Sequence, residues 1–150
     1  MEFIEPNIEL VLGCLKKLKE DTAPNWGTLT ARGMVEHLTD SLQMAYGFKH
    51  HEIEVPEKYW SKMRDILDAE TLLPKNYSAT FAPTIRSIRN ETLPLALGEF
   101  KKEWFSYQNA FNESPEMITN HPNYGPLNRM QWNRLLSKHL THHFKQFSLL

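Results

Sequence analysis

The sequence predicts an all-α fold, a four-helix bundle with one long crossover connection, built as a single domain over residues 1–150. Two observations support this prediction. Apolar residues recur at spacings of three and four in four long segments, and breaks rich in proline, glycine and asparagine separate these segments. The composition, 41% hydrophobic and 23% charged, is typical of a globular protein. Helices that each carry one apolar face bury those faces by packing together, which favours a bundle.

The first helix is predicted from about Asn7 to Lys19, with Asn7 as its N-cap after Pro6. Its apolar face consists of Ile8, Val11, Leu12 and Leu15. Cys14 lies in the same apolar stretch, so we expect a buried and unreactive thiol there.

The second helix follows a loop that contains Pro24, Trp26 and Gly27. Thr28 or Thr30 is its predicted N-cap, and the helix ends near Gly47. Its inward-facing positions are Met34, His37, Leu38, Ser41, Leu42 and Ala45. Beyond it, residues 48–91 form the predicted crossover, with a short helix around 57–69 and a loop near 81–83.

The third main helix is predicted from about Thr92 to Asn112, with Pro94 in its first turn. Its apolar face consists of Leu93, Leu97, Phe100, Trp104, Tyr107 and Phe111. The fourth helix begins after a turn over residues 121–126 and runs to the C-terminus. Asn128 and Gln131 resemble a capping box at its start.

Charge and apolar patterning exclude two classes of partner. Seventeen basic residues stand against eighteen acidic ones, and no run of Lys or Arg is longer than a pair, so we expect no nucleic-acid partner. No apolar run approaches the roughly 20 residues of a membrane span, so we expect no membrane partner either. The absence of a secretory signal and the single cysteine predict a cytoplasmic protein.

Two histidines of the fourth helix lie on its predicted core face. This face consists of Trp132, Leu136, His139, His143, Gln146 and Leu150. His139 and His143 are four residues apart, a spacing that places their Cβ atoms about 5–6 Å apart and lets both rings bind one metal ion. His37 lies on the core face of the second helix. Three buried imidazoles on facing helices therefore predict one divalent metal ion held by His37, His139 and His143.

Several interpretations stay open at this point. A lone histidine on an apolar face is more often a hydrogen-bonded core residue than a ligand. His142 could replace His143 as a ligand, but it points about 100° away, toward the helix flank. Three neutral nitrogens leave coordination positions open, which is typical of catalytic sites, and they suit zinc, nickel, iron and copper alike.

Catalytic residues are not defined by the sequence, and it offers three candidates. His121 could shuttle protons and Tyr124 could donate a hydrogen bond if their turn folds over the metal; otherwise both only support the turn. Gln146 could orient a ligand, or could bond a neighbouring helix. Glu36 and Asp40 lie beside the core face of the second helix, where we expect solvated surface.

Four motifs together resemble the DinB-like superfamily of metal-binding four-helix-bundle proteins, in particular an uncharacterised bacterial branch. They are Pro24-x-Trp26-Gly27, Met34-Val35-Glu36-His37-Leu38, His121-Pro122-x-Tyr124-Gly125 and His139-x3-His143-x2-Gln146. The resemblance covers residues from about 24 to 147. It implies a bundle with a long connection after the second helix, and a metal bound by His37, His139 and His143.

The resemblance also carries functional expectations. Related members are metal-dependent thiol S-transferases that use bacillithiol or mycothiol, including a maleylpyruvate isomerase, and many form homodimers. It therefore implies a small-molecule partner such as a low-molecular-weight thiol, and a homodimer. Two hypotheses follow. The chain is a metal-dependent S-transferase or hydrolase acting on a small electrophile, or it is a non-catalytic bundle in which the metal or histidine cluster is structural.

Overall fold

A computed structural model describes residues 2–75 and 87–150. In these ranges the chain is mostly helical, with five α-helices and one small antiparallel pair of strands. The prediction of a helical fold is therefore confirmed, but the two strands were not predicted. The predicted loop near residues 81–83 lies outside the described part of the chain.

The first two helices begin where the sequence predicts. Helix α1 spans Ile8–Leu15, and its N-cap Asn7 accepts hydrogen bonds from the backbone N–H groups of Glu9 and Leu10. It is shorter than predicted, and Cys14 on it is half-buried rather than buried. Helix α2 spans Ala31–Ala45 with Thr30 as its N-cap. It ends before Gly47, whose φ of +83° lies in the left-handed region that glycine adopts readily.

Two helices follow the predicted boundaries closely. A 3-10 turn over Glu57–Tyr59 leads into α3, which spans Trp60–Asp68 within the crossover. Helix α4 spans Leu93–Glu113, with Thr92 accepting from the N–H of Leu95 and Pro94 in the first turn. Proline is tolerated there because the first backbone N–H groups of a helix have no intrahelical partner.

The predicted turn over residues 121–126 is the tip of a β-hairpin. Strand β1, Thr119–His121, pairs antiparallel with β2, Gly125–Leu127. Gly125 has a φ of +76°, and a Cβ atom at this position would lie 2.7 Å from the indole of Trp60. Only glycine therefore lets the hairpin pack this closely against the start of α3.

Helix α5 spans Arg129–Gln146 and begins with the predicted capping box. Asn128 accepts from the N–H of Gln131, and the Gln131 side chain accepts from the N–H of Asn128. The helix ends four residues before the C-terminus, where Ser148 adopts a φ of 56° and the N–H of Leu149 turns back to the carbonyl of Phe144. The predicted continuation to the last residue is wrong.

The apolar core lies between the long helices. Helix α2 packs against α4 and α5, and α3 packs against α5. The largest fully buried apolar side chains are Phe100, Trp104, Phe111, Phe144 and Phe147. No helix in the described ranges combines the length and the hydropathy needed to cross a membrane.

Glu36 corrects the expectation of a solvated surface beside His37. Its side chain is fully buried and accepts hydrogen bonds from the backbone N–H groups of Arg89 and Asn90. Burial would raise the pKa of this carboxyl group, but these hydrogen bonds and the Arg89 guanidinium lower it below its usual value. Glu36 thus fastens the segment before α4 to α2. Asp40 is only half-buried and pairs with Lys49 and Arg89.

Lys138 is a buried cation on α5, with no exposed surface. Its ammonium group donates hydrogen bonds to the backbone carbonyls of Ile66, Leu67 and Ala69, at 2.9, 3.3 and 2.9 Å. These are carbonyls at the end of α3, which have no partner within that helix. Burial lowers the pKa of Lys138, and the nearby Arg134 lowers it further. This residue fixes α3 across the core face of α5.

Candidate metal centre

Three histidines from two helices converge at one point in the bundle. The Nε2 atom of His139 on α5 lies 2.8 Å from Nε2 of His37 on α2 and 3.0 Å from Nε2 of His143. One nitrogen from each ring lies within 4.8 Å of the others. Two nitrogens bound to one ion at about 2.0–2.1 Å lie about 3 Å apart. The three side chains could therefore hold a single metal ion, as the sequence predicts.

The proton position on His143 follows from the hydrogen bonds of Gln146. The Gln146 amide nitrogen donates to the backbone carbonyl of Trp26 at 2.8 Å, which places its oxygen toward His143. That oxygen lies 2.7 Å from Nδ1 of His143 and can only accept, so Nδ1 carries the proton. In a neutral ring the Nε2 atom then has a free lone pair, which is the form that binds a metal.

Desolvation keeps two of the three rings neutral. It lowers the pKa of His139 and of His143 well below the ordinary value of 6.5, and the neighbouring imidazoles lower both further. A cluster of neutral imidazoles cannot satisfy its own contacts. Because Nε2 of His143 has no proton, two arrangements are possible. If His139 Nε2 carries a proton, that proton serves two short contacts at once; if His37 donates to His139 instead, the lone pairs of His139 and His143 face each other. A metal ion in the centre accepts all three lone pairs and removes this conflict.

The cluster forms part of the wall of a pocket of about 470 Å³. Helix α2 contributes Ser41 and Ala45, α3 contributes Met63 and Ile66, and the segment after α3 contributes residues 72–74. The hydroxyl of Ser41 donates to the carbonyl of His37 one turn away, at 3.1 Å. The pocket volume is within the range of small-molecule sites, about 300–1,000 Å³.

The hairpin brings two of the catalytic candidates to this pocket. His121 and Tyr124 both line it, with their rings 4.8 Å apart. Nδ1 of His121 accepts a hydrogen bond from the N–H of Asn123 at 3.0 Å, so the proton of the neutral ring is on Nε2. Burial, together with the charge of His51, lowers the pKa of His121 to about 3. At neutral pH the ring is therefore uncharged. It keeps the N–H group at Nε2 but lacks the second proton that an imidazolium would release as a general acid.

His142 does not belong to the metal cluster. Its ring packs edge-on against the indole of Trp26, with centroids 5.6 Å apart, and bonds the backbone carbonyl of Leu73. The ammonium group of Lys75 lies 4.3 Å above the same indole. His142 and Trp26 thus hold the segment after α3 against the rim of the pocket. The geometry selects His143, and not His142, as the second histidine of α5 in the cluster.

Part of the pocket was not predicted from the sequence. Met63, Ile66 and residues 72–74 come from the crossover, where the sequence has no motif with a chemical meaning. The Trp26 carbonyl that orients Gln146 was also missed, since a backbone group leaves no sequence signal beyond the loop that carries it. Trp26 and Trp132 also line the pocket, and their buried indole N–H groups have no hydrogen-bond partner among the described residues.

Comparisons of the chain with models of known protein families, with curated proteins and with solved structures found no match. The interpretation of the site therefore depends on its geometry and on the motifs of the sequence.

Proposed function

We propose that the chain is a DinB-like, metal-dependent enzyme that transfers a thiol to, or hydrolyses, a small electrophilic molecule. One divalent ion, zinc, nickel or iron, is held by His37, His139 and His143. The observation that carries this proposal is the position of the three nitrogens, which converge on one point in the wall of a pocket large enough for a substrate.

The arrangement of the helices supports the DinB-like assignment. In this proposal α1, α2, α4 and α5 are the four members of the bundle, and α3 belongs to the crossover, since it lies between α2 and α4 in the chain. The long connection after the second helix matches what the resemblance implies. The ligands come from the second and last helices, also as the resemblance implies.

An incomplete set of protein ligands favours catalysis over a structural role. Structural zinc sites are usually closed by four protein ligands, whereas catalytic sites keep a position for water or substrate. In the described ranges only three side chains, all histidines, form a group that could hold an ion. A metal at such a site supplies Lewis acidity, lowering the pKa of a bound water or thiol so that it becomes a nucleophile at neutral pH.

The surrounding residues have separate roles in this proposal. Gln146 holds the Nδ1 proton of His143 and so keeps its Nε2 lone pair directed at the cluster. Ser41 leaves room beside His37 because its side chain is small and its hydroxyl bonds the helix backbone. His121, a neutral ring with its proton on Nε2, is part of the polar lining of the pocket beside Tyr124.

The decisive test uses protein loaded with cobalt(II), whose absorption reports on its ligands. Addition of a small thiol should produce a thiolate-to-cobalt charge-transfer band, and removal of the metal should abolish any transferase or hydrolase activity found by screening. An unchanged spectrum at saturating thiol, together with a large loss of melting temperature on chelation, would instead indicate a closed structural site.

A further inference from the structure

The described lining of the pocket has almost no usable charge. Lys138 is the only Lys, Arg, Asp or Glu side chain that contributes to it from residues 2–75 and 87–150. Its ammonium group is already shared among three backbone carbonyls at the end of α3. The described lining therefore has no free cation for an anionic ligand and no carboxylate for a cationic one.

Several of the polar side chains in the lining are also engaged within the protein. The hydroxyl of Tyr107 donates to Asn133, and that of Ser41 donates to the backbone of α2. Gln146 bonds His143 on one side and Trp26 on the other. Most of the remaining surface is apolar or aromatic, including Leu29, Leu42, Met63, Ile66, Leu135 and Leu136. The lining is therefore predominantly apolar, and the three-histidine cluster is its main group of polar atoms, beside Thr28, His121, Asn123, Tyr124 and His142.

This distribution determines what can bind. A charged group that leaves water costs free energy unless an opposite charge or several hydrogen bonds receive it. An apolar molecule gains free energy in proportion to the surface that it buries. In the metal-free protein, a pocket with a predominantly apolar lining therefore selects against charged molecules and for neutral, apolar ones.

We propose that this pocket binds an uncharged, predominantly apolar small molecule, with its one polar group directed at the three-histidine cluster. This proposal rests on the proposed function and deepens it, because it names the class of electrophile that the site accepts. Only the direction of the ligand's polar group, toward the three-histidine cluster, depends on the metal-dependent function.

A matched pair of fluorescent probes tests the charge selectivity. N-phenyl-1-naphthylamine is uncharged, and 8-anilinonaphthalene-1-sulfonate has the same aromatic skeleton with one negative charge. Titration of the metal-free full chain should show about one neutral probe bound per chain, at least about tenfold more tightly than the sulfonate. Equal or tighter binding of the sulfonate, or no binding of the neutral probe, would overturn the proposal.

Two substitutions of the same kind locate the binding site. Met63→Lys adds a cation to the pocket wall. The ratio of the sulfonate's Kd to the neutral probe's Kd should therefore fall at least about fivefold. Met130→Lys is the control, since Met130 is 75% exposed at the start of α5 and does not line the pocket. If Met63→Lys does not fold, Ile66→Lys provides the same test, because Ile66 lines the pocket and is 43% exposed. An identical preference in the pocket variant and the control would show that the probe binds elsewhere and overturn the proposal.

The titrations are run on metal-free and on metal-loaded protein, so that two failures can be told apart. Protein that binds a metal but not the neutral probe contradicts the substrate class and leaves the metal-dependent function standing. Protein that binds the neutral probe but takes up no metal supports the apolar pocket and contradicts the proposed function.

Discussion

Gln146→Leu is the substitution that tests how the protein prepares His143 for a metal. The Gln146 side chain is 4% exposed and makes two hydrogen bonds, from Nδ1 of His143 at 2.7 Å and to the Trp26 carbonyl at 2.8 Å. Leucine fills a similar volume but removes both bonds and leaves a buried N–H and a buried carbonyl without a partner. Because each buried group left without a partner costs about 1–3 kcal/mol, the free energy of unfolding should fall by about 2–6 kcal/mol.

The same substitution should also weaken metal binding. Without an acceptor at Nδ1, the proton of His143 is no longer held away from Nε2, and the ring is free to rotate. Loss of a partner that orients a metal-binding histidine typically costs about 10–100-fold in affinity. Competition with a chromophoric chelator measures the Kd of the metal, and urea denaturation measures the free energy of unfolding.

Two further variants separate the loss of the acceptor for Nδ1 from the loss of the bond to Trp26 and from the general effect of removing a buried glutamine. Gln146→Glu keeps an acceptor for Nδ1 but loses the donor to Trp26, so metal affinity should stay within about tenfold of the parent protein. Gln43→Leu is the matched control, because Gln43 is a buried glutamine of α2 that does not line the pocket. A Kd unchanged within twofold in Gln146→Leu, or weakened equally in Gln43→Leu, would refute the assigned role.

Three other predictions concern the framework of the site. His121→Phe should make the free energy of unfolding less dependent on pH in acid. The pKa of His121 is about 3 in the folded protein and lies below the ordinary 6.5, so its contribution to stability is complete above pH 6.5 and is lost as the pH falls toward 3. In urea denaturation at several pH values, the parent protein should show a slope of about 1.4 kcal/mol per pH unit from this residue, and the variant should lack it. Parallel pH profiles for the two proteins would contradict the prediction. Gly125→Ala forces a Cβ against the Trp60 ring in a left-handed backbone, so it should cost about 1–3 kcal/mol by thermal unfolding; an unchanged melting temperature would disprove the close packing. Glu36→Gln weakens the charge-assisted hydrogen bonds to the backbone at Arg89, so the free energy of unfolding measured in urea should fall by about 1.5–3 kcal/mol. An unchanged free energy of unfolding would show that the charge of the carboxylate does not contribute to stability.

The sequence predicted the histidine cluster because helical geometry fixes which residues share a face. His139 and His143 are four apart on an apolar face, and His37 is on the core face of another helix. Core-facing positions of packed helices must meet, so the three rings could be expected together without knowledge of the loops. Caps at Asn7, Thr30 and Asn128 were predictable for a similar reason, since their hydrogen bonds are local.

Features that depend on distant contacts could not be predicted in this way. Glu36 is buried because its partners at residues 89 and 90 lie more than 50 positions away, and nothing near it in the sequence indicates them. The strands of the hairpin have three residues each, too short for an alternating pattern, and their packing depends on Trp60 meeting Gly125. The contribution of α3 to the pocket wall could not be predicted either, because it depends on the path of the crossover through space.

The metal content of the purified chain is the most direct test of the central claim. Elemental analysis of protein prepared without chelator or histidine tag should find about one divalent ion per chain, and the same amount in His142→Ala, whose ring lies outside the cluster. His37→Ala and His139→Ala should each lose most of the ion, because each removes one of three ligands. Metal-free protein that stays folded and takes up no zinc, nickel or iron, or unchanged metal content in His37→Ala, would contradict the account.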